Sequence, residues 1–144
     1  MKWQSAVLGG DGAGPEVTQA ALEVLRETAE RFGHELIADT QEVGYAAYER
    51  TGNPLPEETL AACHAADAVL LGAVGDPRSD GIPVELRPEA ALLALRKEMG
   101  CYANLRPVRL LPALASASPL RPEVVEGTDL VIVRELAGGL YYSE

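Results

Sequence analysis

The sequence of 144 residues is poor in the groups that build disulfide frameworks and metal clusters. Its two cysteines, Cys63 and Cys101, lie far apart and in no Cys-x-x-Cys pattern, and its two histidines, His34 and His64, have no metal-ligand spacing. The expectation is two reduced, buried thiols in a cytoplasmic protein. Positive charge is also scarce. Twelve Lys and Arg face 22 Asp and Glu, a net charge of −10, which disfavours nucleic acid and anionic membranes as partners. Only Lys2 and Lys97 are lysines; the other cations are arginines, the better fork for carboxylates and phosphates. No apolar run approaches the roughly 20 residues that span a bilayer. Lys2 is followed by only a short apolar run, unlike a secretory signal. What remains is an ordinary globular composition, 47% hydrophobic and 24% charged, long enough for one domain with a core.

Strand-like and helix-like patterns alternate. Trp3–Leu8 is a short apolar run cut by glycines and reads as a strand. The loop Gly9-Gly10-Asp11-Gly12-Ala13-Gly14 leads to Pro15 and Glu16, residues suited to a first helical turn. Val17, Ala21, Val24 and Leu25 then recur at helical spacing, with Gly33 as a stop. Residues 35–39 read as a second strand, Tyr45–Arg50 as a short helix, and Glu57–Ala66 as a further helix. Ala68–Gly72 and Leu130–Val133 read as buried strands, the first of them parallel. Glu89–Met99 reads as a helix with Leu92, Leu95 and Met99 on one face. Tyr102–Leu111 reads as extended, with Pro107 demanding an edge or a bend. The pattern predicts an α/β fold with a mostly parallel sheet and flanking helices. A Pro-rich crossing divides it into 1–106 and 107–144.

The motifs exclude more than they assign. The first loop has Pro15 where a Gly-x-Gly-x-x-Gly fingerprint needs its last glycine, and it has no Gly-Lys-Ser/Thr of a Walker loop. A plain tight turn and an anion site at the helix start both fit its glycines. Asp76 and Asp80 lie in a Pro- and Gly-containing loop and read as turn formers. Arg96, Arg106 and Arg134 fall near the ends of three separate elements. If they converge they can hold two carboxylates; by base rate they are surface arginines. Tyr141 and Tyr142 read as ordinary strand or interface tyrosines.

Five segments in order resemble the isopropylmalate/isocitrate dehydrogenase family, and together they cover essentially the whole chain. They are Gly10-Asp11-Gly12-Ala13-Gly14-Pro15-Glu16-Val17, Ala68–Gly75, Arg87–Lys97, Tyr102-Ala103-Asn104-Leu105-Arg106-Pro107, and Asp129–Tyr142. The third is similar to the isopropylmalate branch. The resemblance implies that fold, and with it an NAD-dependent oxidative decarboxylation of a 2-hydroxy-3-carboxy acid, assisted by Mg²⁺ or Mn²⁺, in leucine biosynthesis. By it, Arg96, Arg106 and Arg134 bind the substrate, and Glu89, Leu92 and Leu93 face its third substituent. Two adjacent leucines suit an isopropyl group, each buried methylene favouring binding by roughly 0.8 kcal/mol, whereas isocitrate would need polar partners there. Tyr141 is the implied general acid, and Gly12, Ala13, Gly75, Asp76 and Glu89 lie along the cofactor.

The resemblance also implies a homodimer and a chain well over twice as long. The metal-binding aspartates, a catalytic lysine and the main adenosine segment would lie beyond residue 144, so no metal ligand is assigned to these residues and the chain alone is expected to be inactive. Departures are Gly9 for a usual Pro, Ala13 for Ile, Ala137 for Thr and Asp76 for a common glycine. Alternatives are a related tartrate, homoisocitrate or isocitrate dehydrogenase, or a non-catalytic module that binds an anion or a partner chain.

Overall fold

The structure, a computed structural model, describes residues 1–136 and 138. It divides into two compact units, Met1–Met99 and Gly100–Glu144; the change expected from sequence lies at 106/107, within a strand of the second unit.

The first unit is built on three parallel strands: β1 (Lys2–Gly10), β2 (Glu35–Gln41) and β3 (Ala68–Ala73), in the order β2-β1-β3. Around them run α1 (Gly14–Arg31), α2 (Tyr45–Thr51), α3 (Glu57–Ala65) and α4 (Pro88–Glu98). Central β1 is buried from Ser5 to Leu8. Alternation sends Ala6 and Leu8 to one face, where they join Val43, Cys63, Ala91 and Leu95 in the core. Val7, also buried, points to the opposite face. The expected α/β architecture with a parallel sheet is present.

Four local expectations are corrected. The buried residues of α1 are Gly14, Thr18 and Leu22, not Val17, Ala21, Val24 and Leu25, which are exposed. The helix approaches β3 so closely that a Cβ on Gly72 would overlap Thr18 Oγ1 and the Gly9 carbonyl, so this contact takes small residues. β3 is parallel as expected but only half-buried. On α4, Ala91 and Leu95 form the buried face; Leu92 is half-buried and Met99 is exposed. Cys63 is buried, but Cys101 is exposed, and both are free thiols.

The second unit contains β4 (Ala103–Arg109), a short helix α5 (Pro122–Val125) and β5 (Asp129–Glu135). β4 and β5 pair antiparallel as a two-stranded ribbon. Each strand is an edge, which accommodates Pro107 as expected. Leu130–Val133 is therefore not a buried strand: all four residues are exposed, because a two-stranded ribbon has no neighbouring strand on its outer edges to help cover it.

Candidate functional site

The parallel strands end level. Gly10 of β1 pairs with Ala73 of β3, and the Asp11 amide donates to the Ala73 carbonyl at 2.7 Å. In open parallel sheets ligands bind beyond these carboxyl ends. Asp11 organises this end and is almost fully buried. Its Oδ2 accepts from the amides of Tyr45 (3.0 Å) and Gly75 (2.9 Å), and its Oδ1 from the amide of Ala46 (3.0 Å). Gly44 precedes α2 with φ 84°, and a Cβ there would overlap Asp11 Oδ2. The sequence reading missed Asp11 as a functional residue. An acid between glycines looks like a turn former, and its partners lie 34, 35 and 64 residues away.

This latch brings together most of the residues expected along a cofactor. Gly12 and Ala13 follow Asp11 directly and are exposed. Nothing lies within 4 Å of a Cβ built on Gly12. Ala13 caps α1 without a side-chain hydrogen bond. The Gly14 amide donates to the Asp11 carbonyl at 2.8 Å and Pro15 has no N–H, so Glu16 supplies the amide that the first turn of this 18-residue helix still has to offer. Gly75 adopts φ 134°, and a Cβ there would meet only Glu89 Oε1, at 3.6 Å. Bare backbone beside a helix start is the surface a dinucleotide phosphate needs, so these residues fit the group.

Asp76, the departure that places a negative charge here, is held by Arg78. Its carboxylate accepts from the Arg78 amide (2.8 Å), Nε (3.0 Å) and Nη2 (2.8 Å). The Arg78 guanidinium and then its amide hold the Asp76 carboxyl below its ordinary range. The same guanidinium pairs with Glu49 at 3.2 Å and lies 4.5 Å over the Tyr45 ring. Asp76 therefore caps a 3-10 turn at Pro77–Gly81, as a turn-forming aspartate should.

On α4, Glu89, Leu92, Leu93 and Arg96 stand at i, i+3, i+4 and i+7. That spacing is one helical face, rotated about a third of a turn from the buried Ala91 and Leu95. Leu92 and Arg96 are half-buried, and Leu93 is 56% exposed. The helix thus buries one apolar stripe and presents another, made of an acid, two leucines and an arginine.

The ribbon of the second unit carries the other two arginines. Asn104 lies opposite Arg134 in the register, and Arg106 is two residues along β4, so alternation puts all three on one face. Arg106 Nε donates to Asn104 Oδ1 at 3.1 Å. Arg106 is exposed and Arg134 half-buried. Asn104 is a second residue the sequence reading did not single out, although its spacing to Arg106 carried the signal. Tyr141, together with Ala137, lies outside the described residues. Among the described residues no group of three His, Cys, Asp or Glu side chains is arranged to hold a metal ion, and no helix is long and apolar enough to cross a membrane.

The profile of the isocitrate/isopropylmalate dehydrogenase family matches residues 4–144. The chain is 56% identical to the 3-isopropylmalate dehydrogenase of Bacillus licheniformis over 144 residues, which is all of this chain and 39% of that protein. It is 54% identical to the 3-isopropylmalate dehydrogenase of Bacillus subtilis, again over its whole length and 40% of that relative. The crystal structure of isocitrate dehydrogenase from Methylococcus capsulatus superposes with a TM-score of 0.73 at 31% identity, covering 96% of this chain and 36% of that one. The chain thus spans about two fifths of the relatives it matches. These matches place the chain in the isocitrate/isopropylmalate dehydrogenase family.

Proposed function

We propose that this chain supplies the hydroxy-acid face and the first cofactor loops of a 3-isopropylmalate dehydrogenase, with residues 107–144 beginning a second domain and dimer arm. The observation that carries the reading is the second stripe of α4. Arg96 ends a face whose middle is Leu92 and Leu93 and whose start is Glu89. A cation beside two partly exposed leucines suits a substrate with a carboxylate next to an isopropyl group. Each methylene removed from water there favours binding by roughly 0.8 kcal/mol. A carboxylate in the place of the isopropyl group would be desolvated against leucine with no partner, which argues against isocitrate.

In the proposed mechanism Arg96, Arg106 and Arg134 hold the two carboxylates through charge-assisted bonds and fix the orientation of the C2 hydroxyl. Asn104 accepts from Arg106 Nε and leaves its terminal nitrogens directed elsewhere. NAD⁺, when bound along Gly12, Ala13, Gly75, Asp76 and Glu89, supplies the acceptor for the C2 hydride. Loss of that hydride, together with the hydroxyl proton to a base not assigned to the described residues, would turn the C2 hydroxyl into a ketone. The β-carboxylate would leave as CO₂, its bonding pair forming the enolate, and Tyr141 would return a proton to the enol carbon. Ligands for Mg²⁺ or Mn²⁺ are not assigned to the described residues. A homodimer in the cytoplasm, with neither nucleic acid nor membrane as partner, completes the reading.

Calorimetry with 3-isopropylmalate tests it. Binding should be lost in Arg106→Ala and weakened in Leu92→Ser, and the purified chain should form no NADH. A chain that ignores isopropylmalate, or a Leu92→Ser variant that binds it equally well, sinks the assignment. NADH formation by the chain alone overturns the expectation that it binds without turnover.

A further inference from the structure

We propose that Asp11 is a positioning residue for the dinucleotide, a single buried carboxylate that locks together the backbone segments forming the cofactor edge. The inference rests on the cofactor edge proposed above. Asp11 is 6% exposed. Three amides from two distant segments converge on its two oxygens, at 2.9–3.0 Å. Hydrogen bonds to an ionised acceptor are stronger than neutral ones. Two of the donors, Tyr45 and Ala46, belong to the first turn of α2 and have no acceptor within that helix. The third, Gly75, opens the loop that leaves β3 towards Glu89. With its oxygens turned to backbone amides, Asp11 acts in neither proton transfer nor metal binding. What it does is set where the loop at Gly12–Ala13 stands relative to the loop at Gly75.

The surroundings are shaped for this carboxylate. Gly44 has no side chain where one would overlap Oδ2. Asp11 also anchors its own loop, its amide donating to Ala73 and its carbonyl accepting from Gly14 at 2.8 Å. An asparagine would keep the volume but turn an NH₂ donor towards amides that are themselves donors. Asp11→Asn therefore loosens the three-way contact without opening a cavity. Glu89, Leu92, Leu93 and Arg96 sit on α4, outside the latch, so affinity for the hydroxy acid should not follow.

The test is NMR on the ¹⁵N-labelled chain with NAD⁺ and, separately, 3-isopropylmalate as probes. In the unmodified chain the Gly75, Tyr45 and Ala46 amides should exchange slowly, and NAD⁺ should shift Gly12, Ala13 and Gly75. Asp11→Asn should speed exchange at the three amides and weaken NAD⁺ by about tenfold, the equivalent of one charged hydrogen bond. Affinity for isopropylmalate should stay unchanged. Equal NAD⁺ affinity in the variant overturns the inference and leaves the cofactor edge standing. A parallel loss of both ligands also overturns it, since Asp11 would then only support the fold. Absence of NAD⁺ shifts at Gly12, Ala13 and Gly75 in the unmodified chain overturns both inference and edge. Should Asp11→Asn fail to fold, Ala46→Pro removes one donor from a first helical turn, where proline is tolerated, and leaves the carboxylate in place. It should weaken NAD⁺ several-fold, and unchanged affinity there rejects the inference.

Discussion

At the scale of single residues, Asp76 and Arg78 illustrate how an unfavourable charge is absorbed locally. Asp76 adds an acid beside a surface proposed to meet phosphates, and Arg78 covers it through three hydrogen bonds. Because the folded carboxyl sits below its ordinary value, the interaction stabilises the fold in full above the unfolded aspartate range, about 3.9. It is lost as pH falls through the lower folded value. The pair is partly solvated, so its contribution is modest. The Asp76 titration midpoint, followed by carboxyl NMR, should rise towards the ordinary value in Arg78→Gln. A midpoint that does not move would show that Arg78 is not the cause.

At the scale of elements, α4 has one buried face and one face proposed to meet the hydroxy acid. Leu95→Ala removes a buried core contact and should lower stability by about 2–4 kcal/mol in urea unfolding. Leu93→Ala, at an exposed position, should change stability by about 0.5 kcal/mol or less while weakening isopropylmalate. Equal stability losses from both would mean that the faces are not separate. Much of this element was legible in sequence, since leucine spacing specifies a helix. Its burial was not, because Leu92, Leu95 and Met99 are the larger apolar groups while the core took Ala91 with Leu95. The same error occurred on α1, where Gly14 and Thr18 are buried because a close approach at Gly72 rewards small side chains. Hydrophobic periodicity weights size and does not see distance between backbones. The ribbon failed differently. Leu130–Val133 reads as buried from composition alone, and its antiparallel pairing with β4 is a nonlocal fact. For the site, Glu89, Leu92, Leu93, Arg96 and Arg106 came from the family resemblance and not from spacing, and Asn104 was not singled out. The latch at Asp11 rests on contacts that no window of the sequence contains.

At the scale of the whole chain, the two thiols report on different units. Burial and then the nearby Asp39 charge push the Cys63 thiol above its ordinary pKa, and Cys63 sits in the core of the first unit. Cys101 is exposed in the second. A disulfide reagent should modify Cys101 promptly under native conditions, because the thiolate is the reactive form and needs access. Cys63 should react only as denaturant opens the first unit. Prompt modification of both would mean that the core around Cys63 is not closed.

The reach of the Asp11 latch has a consequence for the order in which the chain acquires its shape. Contacts between residues distant in sequence are slow to form because a longer loop must close first. β1 meets β2 across a single helix, but Asp11 meets Gly75 across 64 residues. During synthesis from the N-terminus, β1, α1 and β2 leave the ribosome well before Gly75 does. The Gly75 bond of the latch closes only once β3 has docked, so the edge proposed for the dinucleotide is complete only after β1 and β2 have paired, and the Gly75 amide should gain protection later in refolding than the amides of β1 and β2.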